Sequence, residues 1–235
     1  MLARHMLPTL RMCSASARSL ANAPARRSIS GVVFDMDGTL TREGALDYTA
    51  MYSRAGAPEG CKNILEWIET LDAAQQDKAN LAIREVEREG YARTQVNDKC
   101  IEMLQELKRA HGGLRLGILT RNSDEAVEVF LDSFKLRPLF DHTISRDWAG
   151  GKCKPSGDAL VHFSKLWECT PAKMLMIGDW KDDMAAGKAA GAITVLKHLG
   201  EDAQRANFHL VDQADHVVHC LSEIPPLVER LARAS

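Results

Sequence analysis

Short apolar runs recur along the chain and alternate with segments in which apolar residues follow a helical period. The apolar runs are 31–34, 114–119, 174–177, 192–196 and 216–220, with a weaker one at 143–144. The helical segments are 96–110, 123–134, 156–167 and 182–190. Strands and helices that alternate at this spacing predict a mostly parallel sheet covered by helices on both faces. The expected fold class is therefore α/β, with a doubly wound parallel sheet.

Residues 43–94 break this alternation, because they carry helical patterns and no convincing strand. An insertion directly after the first strand would lie above the carboxyl edge of the sheet, a position that suits a lid over a binding site. We therefore predict a small helical cap at 43–94 and a core formed by 31–42 and 95–235. A packed helical subdomain that does not move is the alternative interpretation.

The first 30 residues differ from the rest, because the first acidic residue of the chain is Asp35. Five arginines and several serines precede it. An arginine-rich, serine-rich opening without acids is typical of an organelle transit peptide. We predict that 1–30 are a transit peptide or a disordered leader. The expected location is mitochondrial, with a plastid or the cytoplasm as alternatives.

The net charge changes when this leader is set aside. The whole chain of 235 residues carries 30 basic and 32 acidic residues, and without the five leader arginines the balance is 25 against 32, or −7. An acidic body argues against nucleic acid as the main partner. No apolar run approaches the roughly 18 residues that a membrane span needs. We therefore expect neither a nucleic acid nor a membrane as a partner, and the sequence does not predict an oligomeric state.

Two carboxylates, Asp35 and Asp37, follow the first apolar run, and Gly38 comes next. Residues at the carboxyl end of a buried strand face the crevice in which open α/β sheets bind ligands. Two acids held there repel each other unless a cation lies between them, so a bound metal ion is expected. A carboxylate can also act as a nucleophile and form an acyl-phosphate. The alternative is a strand that ends in an ordinary Asp-Gly turn.

Two further segments carry groups that suit a phosphate. Thr120 ends the run at 114–119, and a hydroxyl with free backbone N–H groups at a strand-to-helix junction makes an anion site. Lys152 and Lys154 stand on a loop restricted by glycines and by Pro155, so that either could direct its charge at a phosphate. A solvated loop lysine is the alternative for each.

A second cluster of acids, Asp179, Asp182 and Asp183, follows the run at 174–177. Three acids within five positions of a strand end are difficult to explain as a solvated surface. Carboxylates, a carbonyl and waters are the ligands that Mg²⁺ prefers. This segment therefore predicts an oxygen-ligand site for Mg²⁺ at the same edge of the sheet.

Taken in order, these four motifs resemble those of the haloacid dehalogenase (HAD) superfamily. The resemblance covers about Gly31 to Leu221, and the chain is similar to HAD-like hydrolases of plants. The helical insert is similar to the small cap of phosphoglycolate phosphatase-like members. The resemblance implies a Rossmannoid core and a Mg²⁺-dependent phosphatase that acts on a small phosphorylated metabolite.

The resemblance also implies roles for the residues of the first three motifs. Asp35 would attack phosphorus and form an aspartyl-phosphate, while Asp37 would protonate the leaving oxygen and later take a proton from water. The phosphoryl oxygens would be held by Thr120, Arg121 and Lys154.

The metal-binding residues that the resemblance implies are Asp35, Asp37 through its carbonyl, Asp179 and Asp183. Two positions depart from the family pattern. Trp180 stands where many relatives carry a small polar residue, and Asp182 adds an acid beside Asp183. The motif spacing favours Asp183 as the residue that orients the waters of the metal or Lys154.

The cap and the reaction type leave alternatives open. Arg54 and Lys62 flank a predicted turn at 56–60 and are candidates for binding an anionic substrate tail, with a solvated surface as the alternative. True dehalogenases of the family lack the acid that this chain has at Asp37, which favours phosphoryl chemistry. A phosphomutase of the same superfamily is the alternative function, and a phospho-aspartate signalling switch is a more distant one.

Overall fold

The computed structural model describes residues 29–199 and 207–233. Its strands are β1 (Gly31–Phe34), β2 (Arg115–Leu119), β3 (His142–Ile144), β4 (Met174–Gly178), β5 (Ile193–Lys197) and β6 (His216–Val218). They form one sheet in the order β3-β2-β1-β4-β5-β6, and each pair of neighbours is parallel. The predicted doubly wound parallel sheet is thus confirmed. The leader predicted at 1–30 lies outside the described residues, except for its last two positions.

The strand order reverses beside β1, and this reversal creates a crevice at the carboxyl edge of the sheet. Phe34, the last residue of β1, pairs in register with Ile118 of β2 and with Ile177 of β4. The residues that follow these three strands therefore emerge at one level. Crossovers that leave β1 and β4 in opposite directions open a ligand crevice between them.

Helices cover both faces of the sheet. They are α1 (Tyr48–Ala55), α2 (Ile64–Glu69), α3 (Ala73–Tyr91), α4 (Cys100–Ala110), α5 (Asp124–Ser133), α6 (Asp158–Leu166), α7 (Lys181–Ala190) and α8 (Ile224–Arg233). Val32 of β1 belongs to the hydrophobic cluster that includes Phe130 of α5, while Val33 belongs to the cluster that includes Phe163 of α6. This alternation along a strand that is buried on both faces is typical of parallel sheets. No helix within the described residues is long and apolar enough to cross a bilayer.

The helices α1, α2 and α3 occupy the insertion at 43–94, which is joined to the core by two adjacent chain segments. Thr41 and Val96 form an antiparallel bridge at its base. The side-chain amide of Asn97 donates to the carbonyls of Gly38, Thr39 and Thr41 at 2.8–3.1 Å. The return segment of the insertion thus holds the loop that follows β1. That the insertion is a separate domain, with the boundaries given above, stays a prediction.

The helix predicted over 96–110 begins later, at Cys100. Lys99, which precedes it, has a φ of 64°, in the left-handed region that interrupts a regular helix. Residues 95–97 are instead engaged with 40–42 in the base of the insertion. Pairing across the chain, which the helical period does not reveal, therefore shortens this helix at its start.

Asp141 ties the edge of the sheet to α4. Its carboxylate accepts from Lys108 Nζ at 2.5 Å, from Arg115 Nη1 at 2.9 Å and from the Leu116 N–H at 2.8 Å. Burial alone would raise the pKa of Asp141, but the bonds from Lys108, Leu116 and Arg115 outweigh it and lower the pKa. The ionised carboxylate is therefore the form that stabilises the fold.

Candidate active site

The carboxyl ends of β1 and β4 bring two groups of acidic side chains together. Asp35 follows β1 directly, and its backbone N–H donates to the Ile177 carbonyl of β4 at 2.8 Å. Gly38 turns the chain with a φ of +80°, and a Cβ at this position would lie 2.5 Å from Asp179 Oδ2. The left-handed backbone and the close approach both require glycine. The loop at 35–38 is thereby packed against Asp179.

Three of these acids form a buried cluster. Carboxylate oxygens of Asp35, Asp179 and Asp183 lie within 4.8 Å of one another, and the three residues are 7%, 0% and 1% exposed. Lys154 Nζ donates to Asp183 Oδ1 at 2.7 Å and also contacts the Asp35 carboxylate. Lys154 and Lys197, which interacts electrostatically with Asp179, supply two positive charges against three buried carboxylates, which repel each other. This donor set therefore fits a divalent cation that prefers oxygen ligands, such as Mg²⁺.

The electrostatic environment of this cluster follows from its burial. Burial raises the pKa of Asp183 to about 6, although Lys154 opposes the effect. Burial alone would lower the pKa of Lys154, but the carboxylates of Asp183 and Asp35 overcome it and raise that pKa. Lys154 is therefore a fixed positive charge directed at the carboxylate of Asp35.

The structure separates two pairs of neighbours, for which the family resemblance had favoured Lys154 and Asp183. Lys154 reaches the acid cluster, whereas Lys152 is exposed. Asp183 joins the cluster and accepts from Lys154, whereas Asp182 accepts from Arg121 Nη1 at 2.6 Å. In each pair, the more deeply buried residue is the one that contacts the cluster.

Asp37 lies next to this cluster and is held by two close side chains, with the Thr41 hydroxyl a more distant third donor at 3.5 Å. The Tyr91 hydroxyl of α3 donates to Asp37 Oδ1 at 2.6 Å, and Asn122 Nδ2 donates to Asp37 Oδ2 at 2.5 Å. The same amide donates to Tyr91 Oη at 2.6 Å and to Thr120 Oγ1 at 3.0 Å. Burial raises the pKa of Asp37, and the hydrogen bonds from Tyr91 and Asn122 only partly oppose it. Asp37 is therefore a carboxyl group that holds its proton more readily than an exposed aspartate.

A second layer of ion pairs joins the insertion to the core. Glu87 of α3 is 1% exposed, and its carboxylate contacts the Arg146 guanidinium. It also accepts from Ser123 Oγ, at the start of α5, at 2.6 Å. Arg121 bonds Asn63 of the insertion at 2.5 Å as well as Asp182. Arg121, which the sequence predicts to bind phosphate, thus lines the cavity, and its guanidinium donates to both Asn63 and Asp182.

A cavity of about 470 Å³ lies between the insertion and the sheet edge. Its floor includes Asp35, Asp37, Thr120 and Lys154. Arg54 and Lys62 are the two candidates for binding an anionic substrate tail. Lys62 lines this cavity and Arg54 does not. The guanidinium of Arg54 instead pairs with Glu89 at 2.8 Å on an exposed surface of the insertion. The role suggested for Arg54 stays a prediction, and in this structure its guanidinium lies outside the cavity lining.

Sequence reasoning missed the role that Tyr91 and Asn122 play around Asp37. Asn122 directly follows Thr120 and Arg121, so its position in the motif was a signal that could have been followed. Tyr91 offered no such signal, because it ends a charged helix 54 positions after Asp37. Its contact exists only because α3 returns over the sheet edge.

The comparisons with known proteins agree with this geometry. Residues 29–191 match the model of the haloacid dehalogenase-like hydrolase family. A HAD-like hydrolase domain-containing protein of Arabidopsis thaliana is 34% identical over 92% of this chain and 90% of its own length. A phosphoglycolate phosphatase of Pseudomonas aeruginosa is 25% identical, covering 84% of this chain and 81% of that protein.

Solved structures share this fold. A solved structure of a HAD-like family hydrolase from Streptococcus pneumoniae superimposes with a TM-score of 0.65 at 20% identity, over 85% of this chain and 98% of that one. At this identity the likeness concerns the fold, while the family rests on the sequence matches. The chain belongs to the haloacid dehalogenase-like hydrolase family.

Proposed function

We propose that this protein is a Mg²⁺-dependent phosphatase that hydrolyses a small-molecule phosphate monoester through an aspartyl-phosphate on Asp35. The observation that carries the proposal is the contrast between two neighbouring carboxyl groups. Asp35 is in contact with the Lys154 ammonium, whereas the pKa of Asp37 is raised by burial. Two carboxyl groups in such different environments suit a nucleophile beside a general acid. The family membership and the phosphatase among the relatives support the same class.

In the first step, an Asp35 carboxylate oxygen attacks phosphorus and the bond from phosphorus to the alcohol oxygen breaks. The proton that the leaving alkoxide needs comes from the Asp37 carboxyl group. Lys154 and the Thr120 hydroxyl line the cavity floor, from which they can hold phosphoryl oxygens. The products of this step are the free alcohol and an aspartyl-phosphate on Asp35.

In the second step, a water molecule attacks the phosphorus of the aspartyl-phosphate. Asp37, now ionised, takes a proton from this water, and the bond between Asp35 and phosphorus breaks. Inorganic phosphate leaves and both aspartates return to their starting states. Tyr91 and Asn122 keep Asp37 in place through both steps, because each donates to one of its carboxylate oxygens.

The residues that would hold Mg²⁺ are Asp35, Asp179, Asp183 and the backbone carbonyl of Asp37. When bound, the ion would offset the negative charge of the carboxylate nucleophile and of the phosphate that it attacks. Without a metal cation, the phosphate dianion would approach three buried carboxylates whose charge Lys154 and Lys197 offset only in part. The unbalanced charge of the cluster is the reason for expecting an absolute requirement for a divalent ion.

The test measures phosphate release with Mg²⁺ and with EDTA, from substrates that include 4-nitrophenyl phosphate, 2-phosphoglycolate, a nucleotide and a sugar phosphate. Asp35→Asn should abolish Mg²⁺-dependent release, since an amide cannot form the aspartyl-phosphate. The matched control is Asp132→Asn, at an exposed ion pair on α5, which should leave release unchanged. Near-normal turnover by Asp35→Asn would refute the mechanism.

The same assay separates this proposal from its rivals. A phosphomutase would transfer the phosphoryl group within a sugar and would need a bisphosphate activator. A phospho-aspartate switch would hold a long-lived phosphate on Asp35 and would release none from a monoester. Stoichiometric labelling of the protein without turnover would therefore favour the switch.

We also propose delivery to mitochondria, on the composition of residues 1–30 alone. A fusion of these residues to a fluorescent protein should enter mitochondria, and replacing the five arginines by glutamine should prevent entry. A plastid signal or a diffuse cytoplasmic signal would contradict this proposal.

A further inference from the structure

The wall of the cavity that faces the acid cluster is mostly apolar. Its apolar part comes from the insertion: Leu46, Tyr48, Met51, Tyr52, Ile64, Leu65 and Ile83. The insertion also contributes the polar Lys62, Asn63 and Glu87. Met51 and Ile83 are 5% and 1% exposed, so they form the deep part of this wall, while Leu65 is only partly buried. A substrate whose phosphate lies at Asp35 and Lys154 would place its alcohol part against these side chains.

The charged groups of the cavity are largely engaged with one another. Arg121 pairs with Asp182, Arg146 pairs with Glu87, and Lys154 bonds both Asp35 and Asp183; these pairs line the cavity. Within the described part of the chain, Lys62 is the one lining cation outside any ion pair, and it is exposed. Among the residues that line the cavity, a second anionic group on the substrate could therefore pair only with Lys62, which lies at the edge of the cavity.

We infer that the substrate is a phosphate monoester of an uncharged alcohol with an apolar, aromatic or branched body. The inference rests on the proposed phosphatase function and adds the chemical class of its substrate. A carboxylate or a second phosphate placed against Met51 and Ile83 would lose its hydration without gaining a partner. An apolar body at the same place would remove hydrocarbon surface from water on both sides. The cavity of about 470 Å³ falls within the range of sites that enclose a whole organic ligand rather than a phosphate alone.

The first experiment compares three phosphates of primary alcohols, so that the leaving oxygen has similar chemistry in each. These are 3-phenylpropyl phosphate, glycerol 3-phosphate and 2-phosphoglycolate, which carry an apolar, a polar and an anionic body. The value of kcat/KM should be higher for 3-phenylpropyl phosphate by about tenfold or more, the size that apolar pocket contacts contribute to specificity. A higher kcat/KM for 2-phosphoglycolate would overturn the inference while leaving the phosphatase function intact.

The second experiment changes the wall. Leu65→Asn places an amide on the apolar wall and should lower the ratio of kcat/KM for 3-phenylpropyl phosphate over ethyl phosphate by about tenfold. The matched control is Leu166→Asn on α6, a 49% exposed leucine outside the cavity, which should leave the ratio unchanged. An unchanged ratio in Leu65→Asn would overturn the inference, because the wall would then have no contact with the substrate body.

A binding measurement keeps the inference separate from the reaction. Calorimetry on the full chain with Mg²⁺ would compare 4-phenylbutylphosphonate with 3-phosphonopropionate, two phosphonates that cannot be hydrolysed. Tighter binding of the phenyl compound supports the substrate class even if no monoester is turned over, an outcome that would refute the proposed function alone. Tighter binding of 3-phosphonopropionate that is lost in Lys62→Ala would overturn the inference, since an anionic tail would then be what the insertion recognises.

Discussion

Replacing Tyr91 by phenylalanine tests whether the insertion takes part in the chemistry or only covers the site. The hydroxyl of Tyr91 donates to Asp37 Oδ1 at 2.6 Å and accepts from Asn122 at 2.6 Å. Burial and the nearby Asp37 carboxylate raise the pKa of Tyr91, so the hydroxyl stays protonated as a donor. Phenylalanine keeps the ring in the same packed position, because Tyr91 is only 2% exposed. The substitution therefore removes one atom that touches the proposed general acid.

The magnitude follows from the kind of bond that is lost. A hydrogen bond to a charged group contributes about 1.5–3 kcal/mol, which corresponds to roughly a tenfold to a hundredfold change in rate. This loss of transition-state stabilisation should affect only the steps in which Asp37 transfers a proton to the leaving oxygen. We therefore expect kcat/KM for alkyl phosphates to fall by about tenfold to a hundredfold, mainly through kcat. The value for 4-nitrophenyl phosphate should fall by less than about threefold, because nitrophenolate leaves without being protonated.

The assay compares kcat/KM, which reports the transfer of phosphate to Asp35, for a series of phosphates whose leaving groups differ in pKa. Tyr91→Phe should steepen the dependence on leaving-group pKa. The matched control is Tyr52→Phe, which removes another hydroxyl of the insertion, one that accepts from the Ile64 N–H at 3.3 Å and does not touch Asp37. An equal loss for alkyl and nitrophenyl phosphates in Tyr91→Phe would refute the reasoning, since a structural defect would then explain the effect.

Three further predictions concern stability and the turn beside the acids. Arg146→Met leaves Glu87 buried without its partner, so the free energy of unfolding in urea should fall by about 3–5 kcal/mol, and a loss below about 1 kcal/mol would contradict this. Asp141→Asn should lower the free energy of unfolding near pH 7, because the lowered pKa of Asp141 means that the fold favours the ionised carboxylate. The difference in this free energy from wild type should shrink as the pH falls below about 4. A difference that does not depend on pH would count against the prediction. Gly38→Ala should abolish phosphate release, since its Cβ would push Asp179 away from the cluster, whereas normal turnover would show that the cluster tolerates the shift.

The sheet could be predicted from the sequence because its central strands are apolar on both faces. Val32, Val33 and Phe34 are 0% exposed, which is the burial that an unbroken apolar run indicates. The start of α4 could not be predicted in the same way. Its first expected residues pair with the segment that leaves β1, and that contact depends on how the whole insertion folds back.

The acids of the site could be located from the sequence because each follows a buried parallel strand, and parallel strands end at a common edge. The family resemblance favoured Lys154 over Lys152, whereas the residues alone left both open, since they stand on one short loop and differ only in their burial. The environment of Asp37 required the structure. Tyr91 reaches it from a separate helical layer, and no local pattern of the sequence marks a contact across that distance.

The adjacent ends of the insertion have a consequence for how this enzyme can evolve. Thr41 and Val96 lie side by side, so a helical insertion of another length or composition could replace this one with a small change in loop-closure entropy. Substrate range could therefore diverge while the sheet and its acids stay the same. Replacement of the insertion is constrained at one point, because its last helix, α3, carries the Tyr91 hydroxyl that donates to Asp37. In the proposed mechanism, any replacement insertion must supply an equivalent donor or accept a slower proton transfer.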